Sequence, residues 1–220
     1  MQILDSRLEN GKSMQIQQAV PHFCKGDIFQ ENMILPVGES SCDIIELQTM
    51  KVLESIKNDH ARNGNLTSIK LSEKHLFLGF ESGLLKLYET ETFQCLKETN
   101  LTHSVNCIDC DENYVVTGNP ENFILSLEIP NLKLAKKREL PSKGISSLMI
   151  RKDGKILAGG SWDGTLRVFS WLKPNNLKPL GALKFHEKPV ESVATSSRKP
   201  FLFAAGSVDT YVTVWNIYNS

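Results

Sequence analysis

The 220 residues, 40% of them apolar and 23% charged, are enough to bury a core as one domain of ordinary globular composition. The 25 basic side chains balance 25 acidic ones, so no global field draws in nucleic acid or an anionic membrane. No apolar run approaches the ~18 residues that cross a bilayer, and Met1-Gln2-Ile3-Leu4-Asp5 turns polar too early for a secretory leader. Five cysteines without a pairing pattern predict a reducing compartment.

Taken in chain order, the elements repeat. Residues 1–20 read as the end of a blade, with Leu4 closing one strand and Met14–Val20 alternating as the outer one. Residues 21–57 form the next unit: Met33-Ile34-Leu35 runs to Gly38, Ser41 marks a turn, and Asp43–Leu47 follows. In residues 58–99, Leu66–Leu71 precedes a run to Gly79, turn residues Ser82 and Gly83, strand Leu84–Tyr88 and outer strand Gln94–Lys97. Residues 100–140 carry Val105–Cys110, Gly118, Glu121, Asn122 and Phe123–Leu127. Residues 141–185 carry Ile145–Ile150, Gly160, Asp163, Gly164, Leu166–Phe169 and Leu180–Phe185. Residues 186–220 carry Val190–Thr195, Gly206, Asp209 and a third strand over Val212–Tyr218, and lack the outer strand. Successive glycines stand 41, 39, 42 and 46 residues apart. Four short strands at that spacing predict an all-β propeller, whose small sheets must stack radially to cover their faces.

The last third narrows the family. Lys155-Ile-Leu-Ala-Gly-Gly-Ser-Trp-Asp-Gly-Thr-Leu-Arg-Val-Phe169 and Phe203-Ala-Ala-Gly-Ser-Val-Asp-Thr-Tyr-Val-Thr-Val-Trp-Asn216 resemble WD repeats. The resemblance implies a structural network of a loop His, a strand Ser or Thr, a turn Asp and a strand Trp. His186, Asp209 and Trp215 match three places, while Ala205 stands at the hydroxyl place and leaves the network incomplete. In the preceding repeat Asp163 matches, but Phe169 replaces Trp and Gly159 replaces Ser or Thr. Gly144-Ile145, Ile150-Arg151, Trp162-Asp163, Trp171, Pro179-Leu180, Phe185-His186 and Val214-Trp215 further resemble the ASTRA-associated protein 1 family and its animal relative, the G-protein-β-subunit-like WD protein. That resemblance implies a nuclear scaffold subunit, with the cytoplasm as a second location, in an assembly tied to chromatin remodelling and to maturation of PIKK-class kinases. Its partners would be the Tel-two/Tti co-chaperones, RuvB-like ATPases and PIKK-class proteins. The alternative is a WD-repeat adaptor of another class, a signalling or ubiquitin-ligase substrate receptor. Rings of this kind hold about seven blades, so five predict a portion or shortened form of a longer protein.

Catalytic and metal chemistry finds no footing, so no catalytic residue, cofactor or metal ligand is assigned. Asn10-Gly11-Lys12-Ser13 ends like a phosphate-binding loop but has Ser6 where its first glycine belongs. Cys107 and Cys110 lie near His103, yet a zinc site needs a second pair. The basic run Lys133, Lys136, Lys137, Arg138 reads as a solvated outer strand or loop. Function therefore falls to surface recognition. The residues preceding each turn position, Ser40, Glu81, Pro120, Trp162 and Val208, should face solvent at one end of the propeller. Trp162, Glu81 and Val208 are the candidate partner-binding residues, Trp162 foremost because an exposed Trp is a frequent interface anchor.

Overall fold

In the computed structural model, residues 24–172, 176–196, 198–199 and 201–217 are described in full, and residues 2–4 and 13–15 by backbone alone. Gln2–Leu4 pairs antiparallel with Ser13–Gln15; the remainder of the expected outer strand Met14–Val20 lies outside the described residues. Four sheets of four antiparallel strands follow. The first blade holds Asp27–Phe29, Asn32–Val37, Ser41–Glu46 and Lys51–Ile56. The second holds Leu66–Leu71, His75–Phe80, Leu84–Glu89 and Cys95–Asn100. The third holds Cys107–Cys110, Tyr114–Gly118, Phe123–Glu128 and Lys133–Glu139. The fourth holds Ile145–Ile150, Ile156–Ser161, Thr165–Ser170 and Pro179–Lys184. The fifth pairs Val190–Thr195, Leu202–Ser207 and Val212–Asn216 in a three-stranded sheet. Stacked in chain order, these sheets make an all-β propeller.

Burial grades outward within each blade. The second strand of the fourth blade, Ile156–Ser161, is buried at every position, because a neighbouring blade covers each face. Outer strands such as Lys51–Ile56 and Pro179–Lys184 are almost wholly exposed. Two-sided burial explains why the inner runs lack the clean alternation of a one-faced sheet. Leucine, isoleucine and phenylalanine from adjacent blades fill the gaps, as where Phe77, Leu85 and Leu87 meet Val105, Val115 and Leu125.

Strand-end glycines serve that stacking. A methyl group at Gly79 would lie 2.6 Å from Val105, at Gly118 2.6 Å from Ile145, and at Gly160 2.8 Å from Val190. Each contact comes from the blade that follows. The register corrects the first unit. Gly79, Gly118, Gly160 and Gly206 face residues six positions on, and the first-blade residue with that offset is Pro36 opposite Cys42. Gly38 instead lies in the turn, at φ 62°. Ser41 accordingly starts a strand and is not the turn residue. Ser40 is buried, its hydroxyl donating to the Gly64 carbonyl at 2.7 Å, and so is not the solvent-facing residue expected.

Turn chemistry also departs from expectation. Gly83, Gly164 and Thr210 take the left-handed conformation, with φ of 88°, 77° and 73°. Asn122 does not. Its turn is held by Asn119, whose Oδ1 accepts from the Glu121 amide at 2.8 Å and whose Nδ2 donates to the Phe123 carbonyl at 3.0 Å.

Inner strands are laced to one another in chain order. Asp27 Oδ2 accepts from the Leu71 amide at 2.8 Å, and Asp109 Oδ2 from the Ile150 amide at 2.5 Å. Lys70 lies between them, its Nζ 3.5 Å from Asp27 and 3.1 Å from Asp109. Ser147 Oγ accepts from the Val193 amide at 3.1 Å. Lys25 Nζ donates to the Glu191 carbonyl at 3.2 Å, so the lead into the first blade touches the inner strand of the fifth.

Candidate docking face

In the fifth blade a connected network joins the loop before the first strand to the third strand. His186 Nδ1 lies 2.9 Å from Asp209 Oδ2, and its Nε2 lies 2.9 Å from Thr213 Oγ1. The carboxylate can only accept, so Nδ1 donates to it, while Nε2 and the Thr213 hydroxyl are hydrogen-bonded to each other. Trp215 Nε1 donates to the same hydroxyl at 2.8 Å. The hydroxyl that Ala205 lacks thus comes from the residue directly opposite it, since Ala205 pairs with Thr213. Sequence reasoning missed Thr213, although it lies two residues before Trp215 and therefore on the same strand face.

The fourth blade solves the same problem with charge. Arg167, paired with Gly159 as Thr213 is with Ala205, donates to Ser161 Oγ at 3.0 Å and Ser142 Oγ at 2.6 Å. It also forms an ion pair with Asp163, to which Ser142 donates at 2.7 Å. Burial alone would raise the Asp163 carboxyl, but the Ser142 hydrogen bond, the Arg167 charge and the Thr165 amide outweigh it and hold it below the usual carboxylate range. Asp209 is likewise held low: desolvation is overcome by the Tyr211 amide and by His186.

These networks brace the turns at one end of the blades, where the inner strands surround a cavity of about 1020 Å³. It is lined by Thr67, Ser68, Ser146 and Ser147, by Glu191 at the inner-strand position equivalent to Thr67 and Ser146, and by Lys25, Glu39, Glu81, Trp162 and Pro189 from loops and turns. Trp162 is 44% exposed and lies with its indole against Gly144, where any Cβ would fall 2.0 Å from the ring. Its backbone amide donates to the Gly144 carbonyl at 3.0 Å. The ring is therefore seated on one side and open on the other. Glu81 Oε2 accepts from Asn65 Nδ2 at 2.9 Å at the same mouth. Val208 is 50% exposed but does not line this cavity, so the structure brings together two of the three candidate residues. Sequence reasoning also missed Lys25, Glu39 and Glu191, which line the cavity from loops and an inner strand that carry no motif.

The other candidates are occupied elsewhere. Cys107 is buried with its thiol near the Ile145 carbonyl, and burial pushes the Cys110 thiol up to about 12. His103 sits edge-on to Phe123 and beside Thr102. Among the described residues no group of three or more His, Cys, Asp or Glu is placed to hold a metal. Lys133–Glu139 is the outer strand of the third blade; Lys137 lies over the Phe123 ring at 4.0 Å, and Arg138 donates to the Asn176 and Leu177 carbonyls. Asn10, Gly11 and Lys12 lie outside the described residues, as does the side chain of Ser13.

The WD domain, G-beta repeat model matches residues 135–170 and 177–216. Mouse guanine nucleotide-binding protein subunit beta-like protein 1 is 30% identical over 215 residues, covering 89% of this chain and 64% of its own. ASTRA-associated protein 1 of Schizosaccharomyces pombe is 37% identical over 75 residues, 34% of this chain and 19% of its own. The chain thus spans less than two thirds of either relative. A chain in a crystal structure of the mitotic checkpoint complex superposes with a TM-score of 0.76 over 84% of this chain and 57% of its own, at 19% identity, a likeness of fold alone.

Proposed function

We propose, from the premise that this chain is a WD-repeat β-propeller, that it is a non-catalytic scaffold which docks a protein partner at the cavity mouth beside Trp162. The observation that carries this reading is the half-open indole, seated on Gly144 and facing a cavity of about 1020 Å³. A large aromatic held rigidly at a concave surface loses little entropy on binding and removes much apolar area from water. The similarity to ASTRA-associated protein 1 supports a finer reading. The chain would serve an ASTRA-type assembly in the nucleus, with roles in chromatin remodelling and PIKK maturation. Its partners would be Tel-two/Tti co-chaperones, RuvB-like ATPases and PIKK-class proteins.

Affinity capture with the tagged chain tests both levels. Co-chaperones and RuvB-like ATPases should be recovered, and Trp162→Ala should reduce their recovery while the melting temperature stays within a degree or two of wild type. Recovery of cullin adaptors or receptors in their place would select the rival adaptor reading. A collapse in stability on Trp162→Ala would assign the ring to the core and remove it from the docking face.

A further inference from the structure

The chemistry of the occupant can be read from the charge the cavity lining carries. Its wall hydroxyls already hold one blade to the next. Thr67 and Ser68 both donate to the Val105 carbonyl at 2.7 Å. Ser146 donates to the Val190 carbonyl, and Ser147 accepts from the Val193 amide. The charged and aromatic groups lining the cavity are the carboxylates of Glu39, Glu81 and Glu191, the ammonium of Lys25 and the indole of Trp162; Glu39 lies 3.4 Å from the His60 ring and Glu81 accepts from Asn65, so neither contact is with a lysine or arginine. Three negative charges stand against one positive, in a chain whose formal net charge is zero. The ammonium is turned onto the Glu191 backbone carbonyl and is not spent on a carboxylate at that contact.

We propose that the mouth takes an extended, arginine- or lysine-bearing segment of a partner protein, one cationic side chain entering between Trp162 and Glu81. This rests on the docking reading above. The indole face attracts a cation through its quadrupole, and carboxylates in a concave site with low-dielectric walls focus the field. A cavity of about 1020 Å³ exceeds what one side chain fills, so flanking backbone enters with it. Acidic segments are repelled by the same charges.

Fluorescence anisotropy on the full chain tests the assignment, using a labelled peptide of alternating arginine and glycine and a counterpart of alternating glutamate and glycine. The arginine peptide should bind and the glutamate peptide should not. Glu81→Gln and Trp162→Ala should each weaken binding by about tenfold, a size consistent with loss of a partly desolvated charge or aromatic contact. Lys25→Met should tighten binding, because it removes the repelling charge. Glu54→Gln, on the exposed outer strand of the first blade, should change nothing, and all folded variants should keep cooperative melting. Equal binding of both peptides, equal weakening by Glu54→Gln and Glu81→Gln, or weaker binding in Lys25→Met would each overturn the basic-segment assignment. Partner capture that depends on Trp162 while the arginine peptide fails would leave the docking site standing and its cationic occupant wrong. Peptide binding as expected with capture independent of Trp162 would do the reverse.

Discussion

Thr213 sits where two requirements meet. It is opposite the small Ala205, which leaves room for the His186 ring, and it is on the same face as Trp215, which needs an acceptor for its indole N–H. Thr213→Val keeps the shape and removes the hydroxyl, leaving His186 Nε2 and Trp215 Nε1 without a partner. Unsatisfied buried polar groups cost about 1–3 kcal/mol each; Trp215 is only partly covered, so chemical denaturation should show a loss toward the lower end of that range. The two turn carboxylates add a pH signature. Asp163 and Asp209 are held below the usual carboxylate value in the folded chain, so their ionised forms stabilise it. That contribution is complete above the unfolded value of about 4 and disappears as pH falls through the lower folded values. Melting curves of wild type and Asp163→Asn should therefore differ at neutral pH, and the difference should shrink as pH falls below the unfolded carboxylate value of about 4. The turn Asp was legible from its spacing after the glycine, and the loop His from the WD-repeat resemblance. Thr213 and Arg167 were not, because the family pattern directs attention to the second strand, whereas both act from the third.

At the scale of an element, the strand-end glycine is a packing device, and its cost depends on what lies beyond it. Gly160 faces Val190 of the next blade, whose carbonyl and side chain would lie 2.8 Å from an added Cβ. Gly206 occupies the same register in the fifth blade but would meet only the Ser192 hydroxyl, at 3.0 Å. Gly160→Ala should destabilise by about 1–3 kcal/mol, as overpacking does, while Gly206→Ala should change stability by well under that amount. Equal losses in thermal unfolding would show that the glycines serve local backbone needs and not blade stacking. The distinction also explains what sequence could and could not reveal. Glycines in four blades keep the six-residue register, so the strands flanking them were placed within a residue or two of their observed bounds, whereas the outer strand expected over Gln94–Lys97 runs Cys95–Asn100 and ends three residues later. In the first blade Pro36 fills the place and Gly38 lies two residues on, so the frame slipped and misplaced Ser40 and Ser41. A glycine demanded by a turn and one demanded by a neighbouring blade look identical in one dimension.

Across the whole molecule, the inner strands must be tied together without apolar contact alone, since their edges face the axis. Asp27, Lys70 and Asp109 hold equivalent positions on three successive inner strands, each opposite the residue two before the strand-end place. Their charges alternate along the chain order. Burial works against the Lys70 ammonium, but the Asp109 and Asp27 carboxylates overcome it and hold the group above the ordinary lysine value. Each carboxylate also caps a backbone amide of the blade that follows, so one ionic string spans four blades. Nothing in the composition signals it, because three residues about 40 apart look like unrelated surface charges until the blades are stacked. Lys70→Met preserves length and leaves Asp109 buried without its cation, a change that typically costs about 3–5 kcal/mol. The loss should lie near the low end, because Lys70 keeps a quarter of its side chain exposed. Adding Asp109→Asn removes the stranded charge while its amide oxygen can still accept from Ile150, so the double variant should melt above Lys70→Met alone. If the double variant is the less stable of the two, the string does not act as a charged unit, and the blades are held at the axis by their backbone and hydroxyl bonds.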